Sequence, residues 1–324
     1  MGAVQAQEYR LMRWAVAMRT RKPSESAFKA AFDSGEIVRI HLLRGTWHLI
    51  SREDYPWMMA LFSSRARKVI DGWMRANNIF ISEQEHESVT EVLMSVAGEL
   101  HSATKEDFAS AVARELGPMD DHRLTYHIRY CELSGVLCNG DLLPMKPSYS
   151  LASEKLGIHS NINACSEQRT AALGTLARKY FQSRSPATLD DFMWWSGLSM
   201  SDCRKGMAEL GPSLQEVTRP GDPRVFYILD TCGTAARSGK SLLLLPSYDE
   251  YLIGYKSRDI VLDPAQSFHA HNNSGIFNPV VAIDGHISGN WSPFSPANEV
   301  QLFAGDGTRD FDGARQAFRS FRKR

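Results

Sequence analysis

The sequence predicts an α+β fold in which short helices alternate with pairs of strands. The main observation is a repeat: the pattern Ala-Thr-x-x-Asp-Phe occurs at residues 103–108 and again at residues 187–192. Each copy lies between helical stretches and is followed by two runs of strand length. From residue 241 onward, apolar residues come in the short runs that are typical of strands. With 324 residues, the chain is long enough for two or three hydrophobic cores.

The first 80 residues predict part of one helix-and-strand unit. Pro-Ser-Glu at residues 23–25 begins an amphipathic helix. Residues 37–49 alternate apolar and polar side chains and turn at Arg44-Gly45, which predicts a strand pair. Because Arg and His fill many of the polar positions, we expect the pair to bury one face and to present a basic face. Residues 53–80 predict a further helix.

Residues 81–150 and 160–232 each predict three helices and a strand pair. In the two repeat motifs, Thr104 and Thr188 are expected to cap a helix, with an Asp at the capping-box position. The strand pair of the first copy is expected to turn at Asn139-Gly140. Three helices followed by a two-stranded wing are the winged variant of helix-turn-helix. With residues 1–80, the sequence therefore predicts three tandem winged-helix domains, the first incomplete.

Residues 240–324 predict a C-terminal β-rich region that ends in a basic helix. We expect strands at residues 242–245 and 248–255, and a hairpin that turns at Asp284-Gly285. The last helix carries three phenylalanines on one side, Phe311, Phe318 and Phe321. Residues 237–241 resemble the tail of a phosphate-binding loop, but they lead into a strand instead of a helix, so we interpret them as an ordinary loop.

The formal net charge is zero, with 37 basic and 37 acidic side chains, but the charges are unevenly distributed. Residues 1–75 contain 13 Lys and Arg against 7 Asp and Glu, whereas residues 76–119 contain 2 against 8. Basic residues also dominate the C-terminal end. A neutral chain with this distribution can still present a positive groove to nucleic acid.

Cysteine usage and hydropathy favour a protein of the cytoplasm. The five cysteines are odd in number and include no C-x-x-C pair, which indicates reduced thiols. No apolar run approaches 18 residues, and the N-terminus is polar, so we expect neither a membrane span nor a signal peptide. His269 and His271, near Asp263 and His286, are interpreted as solvated loop residues. We expect neither a metal nor a cofactor.

Four segments of the chain share their order and pattern with one protein family. They are LPSYDEYLIGYKSR at residues 245–258, VQAQEY at 4–9, RIHLLRGTWH at 39–48, and GIFNPVV at 275–281 with the hairpin that follows it. This set resembles the AlkZ-like bacterial DNA glycosylases, whose signature is LPxYDExLxGYxxR. In two respects the chain departs from the family: few residues precede VQAQEY, and Trp291-Ser292-Pro293 stands where basic residues usually end a strand.

The resemblance implies tandem winged helices that bind duplex DNA on a concave basic surface. Gln5 and Gln7 match the family motif Q-x-Q, which implies that they are catalytic in the excision of alkylated purines. We expect DNA contacts from polar side chains of the matching segments, namely Arg39, His41, Arg44, Trp47, His48 and Arg258. His41 and His48 are also candidates for proton transfer. The protein is expected to act as a monomer.

The two glutamines predict a particular kind of substrate. Their i, i+2 spacing brings the amides to one side only where the backbone is extended or turning. A neutral amide cannot act as a general base, but it can hold a water molecule by hydrogen bonds. Positioning alone suffices only when the base leaves readily, and alkylation at N7 or N3 makes a purine cationic. The sequence therefore predicts hydrolysis of the N-glycosidic bond of cationic purines.

Two other functions remain open from the sequence. Winged helices often bind DNA without chemistry, as in a transcriptional regulator or a lesion sensor, and fold alone does not decide function. Tandem domains can also serve as a scaffold for proteins. Binding that weakens as salt rises distinguishes a DNA partner from a protein partner, because phosphate contacts release counterions.

Overall fold

The structure, a computed structural model, describes residues 1–158, 166–233, 241–304 and 310–322. The chain divides into two compact units. The first unit contains Ala3–Phe28 and Gly174–Arg324, and the second contains Lys29–Leu173. Each unit combines helices with antiparallel strand pairs.

The described residues form α-helices of 4 to 22 residues. They are α1 (Met12–Ala17), α2 (Glu25–Asp33), α3 (Tyr55–Ala76), α4 (Glu83–Leu100), α5 (Lys105–Glu115), α6 (Asp121–Leu133), α7 (Ala152–Leu156), α8 (Ser166–Arg184), α9 (Leu189–Ser196), α10 (Met200–Ala208), α11 (Glu250–Ile253), α12 (Ser267–Ala270) and α13 (Asp312–Phe321).

The strands are short, as expected from the sequence. They are β1 (Val4–Gln5), β2 (Ile37–His41), β3 (Trp47–Ser51), β4 (Ala103–Thr104), β5 (Leu137–Asn139), β6 (Ser148–Leu151), β7 (Leu214–Thr218), β8 (Val225–Leu229), β9 (Leu242–Leu245), β10 (Val280–Ile283), β11 (His286–Trp291) and β12 (Val300–Leu302). In the first unit, β9 to β12 form an antiparallel sheet in sequential order, and β7 pairs with β8. In the second unit β2 pairs with β3, and β6 lies between β4 and β5.

The repeat in the sequence is confirmed as a repeat in the structure. The hydroxyls of Thr104 and Thr188 cap α5 and α9, and the Asp three residues later completes a capping box each time. Just before each cap, the chain bridges to the second strand of the following pair, Ala103 to Tyr149 in one copy and Ala187 to Tyr227 in the other. The short polar capping motif therefore fixes both a helix start and a sheet edge.

The predicted N-terminal helix and strand pair are also confirmed. Helix α2 begins after Ser24, whose hydroxyl accepts the N–H of Ala27 at 3.2 Å. Strands β2 and β3 pair in antiparallel register through a turn in which Arg44 and Gly45 both have positive φ. Glycine adopts this conformation readily, whereas it costs energy for Arg.

The predicted turn at Asn139-Gly140 is wrong. A two-residue type I′ turn needs positive φ at both central residues, and neither Asn139 nor Gly140 has it. Asn139 instead belongs to β5, and its partner strand β6 begins only at Ser148. Gly140 is needed for close packing, because a Cβ there would lie 2.5 Å from the Ser148 hydroxyl oxygen.

The C-terminal hairpin and basic helix are confirmed. Asp284 and Gly285 both have positive φ, as a tight hairpin between β10 and β11 requires. The three phenylalanines predicted on one side of the last helix are buried. Two of them, Phe318 and Phe321, pack their rings against Trp14 of α1 at centroid distances of 5.3 and 5.4 Å. The indole N–H of Trp14 donates to the Leu244 carbonyl at 2.8 Å, which attaches α1 to β9.

The predicted strand at residues 248–255 is wrong, because the chain forms helix α11 there. Asp249 caps this helix by accepting the N–H of Tyr251 at 2.8 Å. Tyr248, just before the cap, has a φ of 57°, which is rare for an aromatic residue. An Asp followed by Glu favours a helix start, and this local preference outweighs the apolar pattern of the segment.

Some sequence expectations fall outside the described residues. The loop at residues 237–240, Cys165 and the last two basic residues belong to this group. The four cysteines that the structure does describe form no disulfide bonds. Within the same ranges, no helix combines the length and the apolarity that a membrane crossing needs.

The capping box at Thr188 makes a prediction about stability. Thr188→Ala removes the acceptor of the Asp191 N–H, 3.0 Å away, at a buried helix start. We expect the free energy of unfolding to fall by about 1–2 kcal/mol in urea titrations followed by circular dichroism. Thr218→Ala on exposed strand β7 is the control and should stay within about 0.5 kcal/mol of wild type. Equal effects of the two substitutions would contradict the capping role.

Candidate active site

The predicted amide pair lies on strand β1 and in the bend that follows it. Gln5 ends β1, and the residue is only 4% exposed. Its Oε1 atom accepts a hydrogen bond from the backbone N–H of Ala6 at 2.9 Å. Gln7 lies in the bend and is exposed. The backbone is therefore extended and then turning, as the spacing required, but one amide is buried and the other is open to solvent.

A buried carboxylate holds this segment in place. The backbone N–H of Gln5 donates to Glu250 Oε1 at 2.7 Å. The other oxygen of Glu250 accepts from the indole N–H of Trp195 at 3.0 Å and from the guanidinium of Arg184. Arg184 also donates to the carbonyl of Ala3 at 3.2 Å. The Glu250 and Arg184 side chains are each 2% exposed, so the ion pair is shielded from water on both sides.

Asp249, next to Glu250, fixes the other end of the N-terminal region. Its two oxygens accept from the Arg19 guanidinium at 2.6 and 2.9 Å, in the bidentate geometry that arginine and carboxylate favour. Arg19 follows helix α1 and also donates to the carbonyl of Ala15 at 2.7 Å. Two adjacent acidic residues therefore hold the chain on both sides of the amide segment.

Sequence reasoning missed the positioning role of Asp249 and Glu250. They were noted only as part of the pattern LPSYDEYL, which carried the family resemblance. The available signal was a pair of adjacent acids in an otherwise apolar stretch, because buried carboxylates require partners. Their partners Arg19 and Arg184 are 230 and 66 residues away in the chain, so no spacing rule identifies them.

Arg258 lies in the same unit as the amide pair and is half-buried. Its Nε donates to the carbonyl of Leu252 at 2.8 Å, which closes the turn after α11. The guanidinium carbon lies 5.4 Å from the ring centre of Trp194 and 4.9 Å from that of Phe277. Its packing is structural, and its predicted contact with DNA stays a prediction.

The strand pair β2–β3 does not present the basic face that the sequence predicted. Arg39, His41 and His48 are all buried. The backbone N–H of Arg39 donates to Asn139 Oδ1 at 2.9 Å, and its guanidinium carbon lies 3.7 Å from the ring centre of Trp47. The expectation that one face of the strand pair is exposed is therefore wrong. Strand β5 and helix α6 of the same unit cover the face that carries Arg39 and His41.

Arg44, Trp47 and the two histidines belong to the second unit with Arg39. Arg44 and Trp47 are half-buried, and the ring centres of Trp47 and His41 are 3.5 Å apart. Gln5, Gln7 and Arg258 belong to the first unit. The buried positions of Arg39, His41 and His48 do not favour direct phosphate contact.

His41 forms a buried pair with Glu132, the two facing atoms, Nδ1 and Oε2, being 3.1 Å apart. Burial raises the pKa of Glu132 to about 8, although the nearby Arg39 and Arg129 lower it. Burial, followed by the charges of Arg129 and Arg39, lowers the pKa of His41 well below its ordinary value. The pair is therefore neutral at neutral pH, and His41 is a poor candidate for proton transfer at a solvent-exposed site.

The described residues contain no group of three or more metal-binding side chains. His269 and His271, the pair considered from the sequence, pack against different aromatic rings. The ring centres of His269 and Phe303 are 5.0 Å apart, and those of His271 and Phe277 are 5.2 Å apart. Their surroundings are aromatic. The residue types at the amide segment, two glutamines and a glutamate, are also not a typical set of metal ligands.

Comparison with known proteins identifies the family of the chain and a relative. The family model "DNA glycosylase AlkZ-like" matches residues 1–302. An interstrand DNA cross-link repair glycosylase of Streptomyces sahachiroi is 24% identical over 301 residues, which cover 89% of this chain and 79% of the relative. The solved structure of the S. sahachiroi DNA glycosylase AlkZ has a similar fold, with a TM-score of 0.72 at 22% identity over 98% of this chain and 88% of that one.

The buried ion pair at Glu250 makes the second prediction. Glu250→Ala leaves Arg184 buried without its carboxylate, and we expect the free energy of unfolding to fall by about 3–5 kcal/mol. Trp195→Phe removes only one neutral donor to the same carboxylate and should cost less. Urea titrations of both variants at neutral pH measure the difference. A loss below about 1 kcal/mol in Glu250→Ala would contradict the anchoring role.

The neutral pair makes the third prediction. Because the folded chain raises the pKa of Glu132 from 4.5 to about 8, its contribution to stability is complete below pH 4.5 and is lost as pH rises through 8. The depressed pKa of His41 has the opposite effect: it lowers stability, and only as pH falls below 6.5. Between pH 6.5 and 8.5 we therefore expect wild type to lose thermal stability relative to Glu132→Gln. Glu91→Gln, on the exposed face of α4, is the control and should follow wild type.

Proposed function

The chain belongs to the AlkZ-like family of DNA glycosylases, which are monofunctional hydrolases of the N-glycosidic bond, and on that basis we propose its substrate and catalytic residues. The proposed substrate is an alkylated, cationic purine in duplex DNA. Gln5 and Gln7 are the proposed catalytic pair. The observation that carries this proposal is the exposed Gln7 amide on a segment that Glu250 holds by the Gln5 backbone at 2.7 Å.

The two glutamines have unequal parts in this mechanism. The amide of Gln7 orients the attacking water, because it is exposed and can both donate and accept hydrogen bonds. The amide oxygen of Gln5 accepts from the Ala6 N–H, so Gln5 sets the shape of the backbone that carries Gln7. Fixing a nucleophile in line with the anomeric carbon removes much of the entropic part of the barrier.

The chemistry of the leaving group completes the proposal. Neither amide can remove a proton from water or give one to a base with useful strength. An alkyl group at N7 or N3 places positive charge on the purine, so the bond to the sugar breaks without protonation by the enzyme. A normal purine lacks this advantage. A site built on neutral amides therefore selects cationic bases through the ease with which they leave.

The DNA-binding surface is proposed to be built from winged helices. The segments α4 to β6 and α8 to β8 each contain helices followed by a strand pair, and both begin their second helix with the same capping box. We assign these as two winged-helix domains, at about residues 81–150 and 160–232. The region from α2 to α3 within residues 1–80 is the incomplete one. The partner is duplex DNA, bound by a single copy of the chain.

An interstrand cross-link is a second proposed substrate. The Streptomyces relative carries the name of a cross-link repair glycosylase and matches 89% of this chain. A cross-link between two purine N7 atoms makes both purines cationic, so each has the same facile departure as a single adduct. The same water-positioning chemistry therefore serves both lesions.

The proposal is tested by base release in single-turnover reactions on a duplex containing N7-methylguanine. Gln7→Ala is expected to slow release by about 100-fold or more, because positioning is lost. Gln5→Ala should slow it less, since the backbone N–H that bonds Glu250 remains. Gln84→Ala, at an exposed glutamine of α4, should match wild type.

Additional duplexes define the substrate class in the same assay. An N7–N7 cross-linked duplex should be cleaved, and a duplex containing uracil should not. Equal rates for wild type and a Gln5→Ala, Gln7→Ala double variant would overturn the catalytic assignment. Release of uracil at the rate of N7-methylguanine would overturn the argument from leaving-group charge.

A further inference from the structure

Phe294 is an exposed aromatic residue on the first unit, in the loop between β11 and β12. Its exposed fraction is 48%. The residues just before it, Trp291-Ser292-Pro293, lack the basic side chains expected at this point from the family resemblance. Single exposed apolar side chains are common on protein surfaces, so the surroundings of Phe294 decide whether it has a role.

The loop that carries Phe294 is held in one shape by its own amide. Asn298 is buried with a φ of 50°. Its Nδ2 atom donates to the carbonyls of Pro293 at 3.1 Å and Ser295 at 3.2 Å, on both sides of Phe294. The loop therefore closes around the side chain of Asn298. Its two hydrogen bonds fix the position of Phe294, which lies between the two carbonyls in the chain.

Helix α13 holds the same loop from outside. Arg319 donates through Nε to Asn298 Oδ1 at 2.9 Å and through Nη2 to the Ala297 carbonyl at 2.9 Å. The Nε of Arg315 donates to the Asn298 carbonyl at 3.2 Å. Two guanidinium groups and one buried amide therefore fix a loop of seven residues, 292–298. Such preorganisation lowers the entropic cost of any binding by the residue it presents.

Arg10 connects Phe294 to the amide segment. Its guanidinium carbon lies 3.6 Å from the ring centre of Phe294, which is van der Waals contact. The Glu8 carboxylate accepts from the backbone N–H of Arg10 at 3.1 Å and from its Nε at 3.4 Å. Glu8 directly follows Gln7 in the chain. The aromatic ring and the residue that carries the exposed amide are therefore linked through two residues, Arg10 and Glu8.

The two other exposed phenylalanines provide a contrast. Phe80 and Phe268 are 73% and 68% exposed, and within the described parts of the chain neither has a guanidinium over its ring. Phe268 lies against His269 instead, with ring centres 3.9 Å apart. Only Phe294 of these three combines an exposed ring with a fixed arginine, the pair of groups on which unstacked nucleobases stack.

We propose that Phe294 and Arg10, which lies three residues after Gln7 in the chain, form a stacking platform for a nucleobase at the lesion. The platform is the face made by the Phe294 ring and the Arg10 guanidinium. It receives a base that has lost a stacking neighbour, and Arg10 adds attraction to the adjacent phosphate. This deepens the proposed function and rests on it for the identity of the partner, but it concerns DNA binding and not bond cleavage.

The test uses the full chain and a duplex that contains a tetrahydrofuran abasic analogue flanked by 2-aminopurine. Stacking on an aromatic ring quenches 2-aminopurine fluorescence. Phe294→Ala should weaken equilibrium binding roughly ten-fold and remove the quench that wild type produces. Phe294→Trp should keep both. Phe294→Leu, which retains an apolar side chain against Arg10 without a ring, should behave as Phe294→Ala does.

Salt dependence separates the two members of the platform. The slope of the logarithm of the binding constant against the logarithm of salt concentration reports the number of phosphate contacts. Arg10→Met should reduce this slope by the amount that corresponds to about one contact, whereas Phe294→Ala should leave it unchanged. Phe268→Ala is the matched control and should bind and quench as wild type does. Wild-type behaviour of Phe294→Ala or of Phe294→Leu in binding and quenching would overturn the platform.

The outcome is separable from that of the proposed function. Binding and fluorescence on the abasic analogue require no base release. If wild type binds with a quench that Phe294→Ala abolishes but releases no alkylated base, the platform stands and the proposed substrate fails. If alkylated base is released while Phe294→Ala matches wild type in binding and quenching, the platform fails and the proposed function stands.

Discussion

The interaction on which the candidate site depends is the buried ion pair between Glu250 and Arg184. Removing two charges from water is costly, and further hydrogen bonds to the pair offset part of that cost. Here the carboxylate also accepts from Trp195 and from the backbone of Gln5, and the guanidinium also donates to Ala3. The electrostatic requirements of the pair thereby determine where the beginning of the chain lies.

Several buried titratable groups of the two units are either paired with arginines or kept neutral. Glu250 and Asp249 are occupied by arginines, and burial keeps Glu132 and His41 neutral. Of the two histidines considered for proton transfer, His41 is therefore structural. The exposed amide of Gln7 fits a reaction in which the substrate supplies the charge. This is the physical basis of the proposed preference for a cationic leaving group.

The first unit is held together by aromatic side chains from both ends of the chain. Trp14 of α1 packs against Phe318 and Phe321 of α13. Trp291 also packs against Phe318, with ring centres 4.9 Å apart. Helix α13 also fixes the loop that displays Phe294 through its arginines. Its apolar side stabilises the core, and its basic side organises a surface loop. One short helix therefore serves both the N-terminal segment and the surface next to it.

The sequence by itself determined the repeated capping boxes at Thr104 and Thr188, the strands 214–218 and 225–229, and the hairpin at Asp284-Gly285. Each depends on residues a few positions apart, because caps, turns and alternation are local interactions. The tertiary structure decided the burial of Arg39, His41 and His48 and the different environments of Gln5 and Gln7. Those outcomes depend on ion pairs and packing between residues far apart in the chain, and local sequence carries no record of which distant partner will satisfy a buried charge.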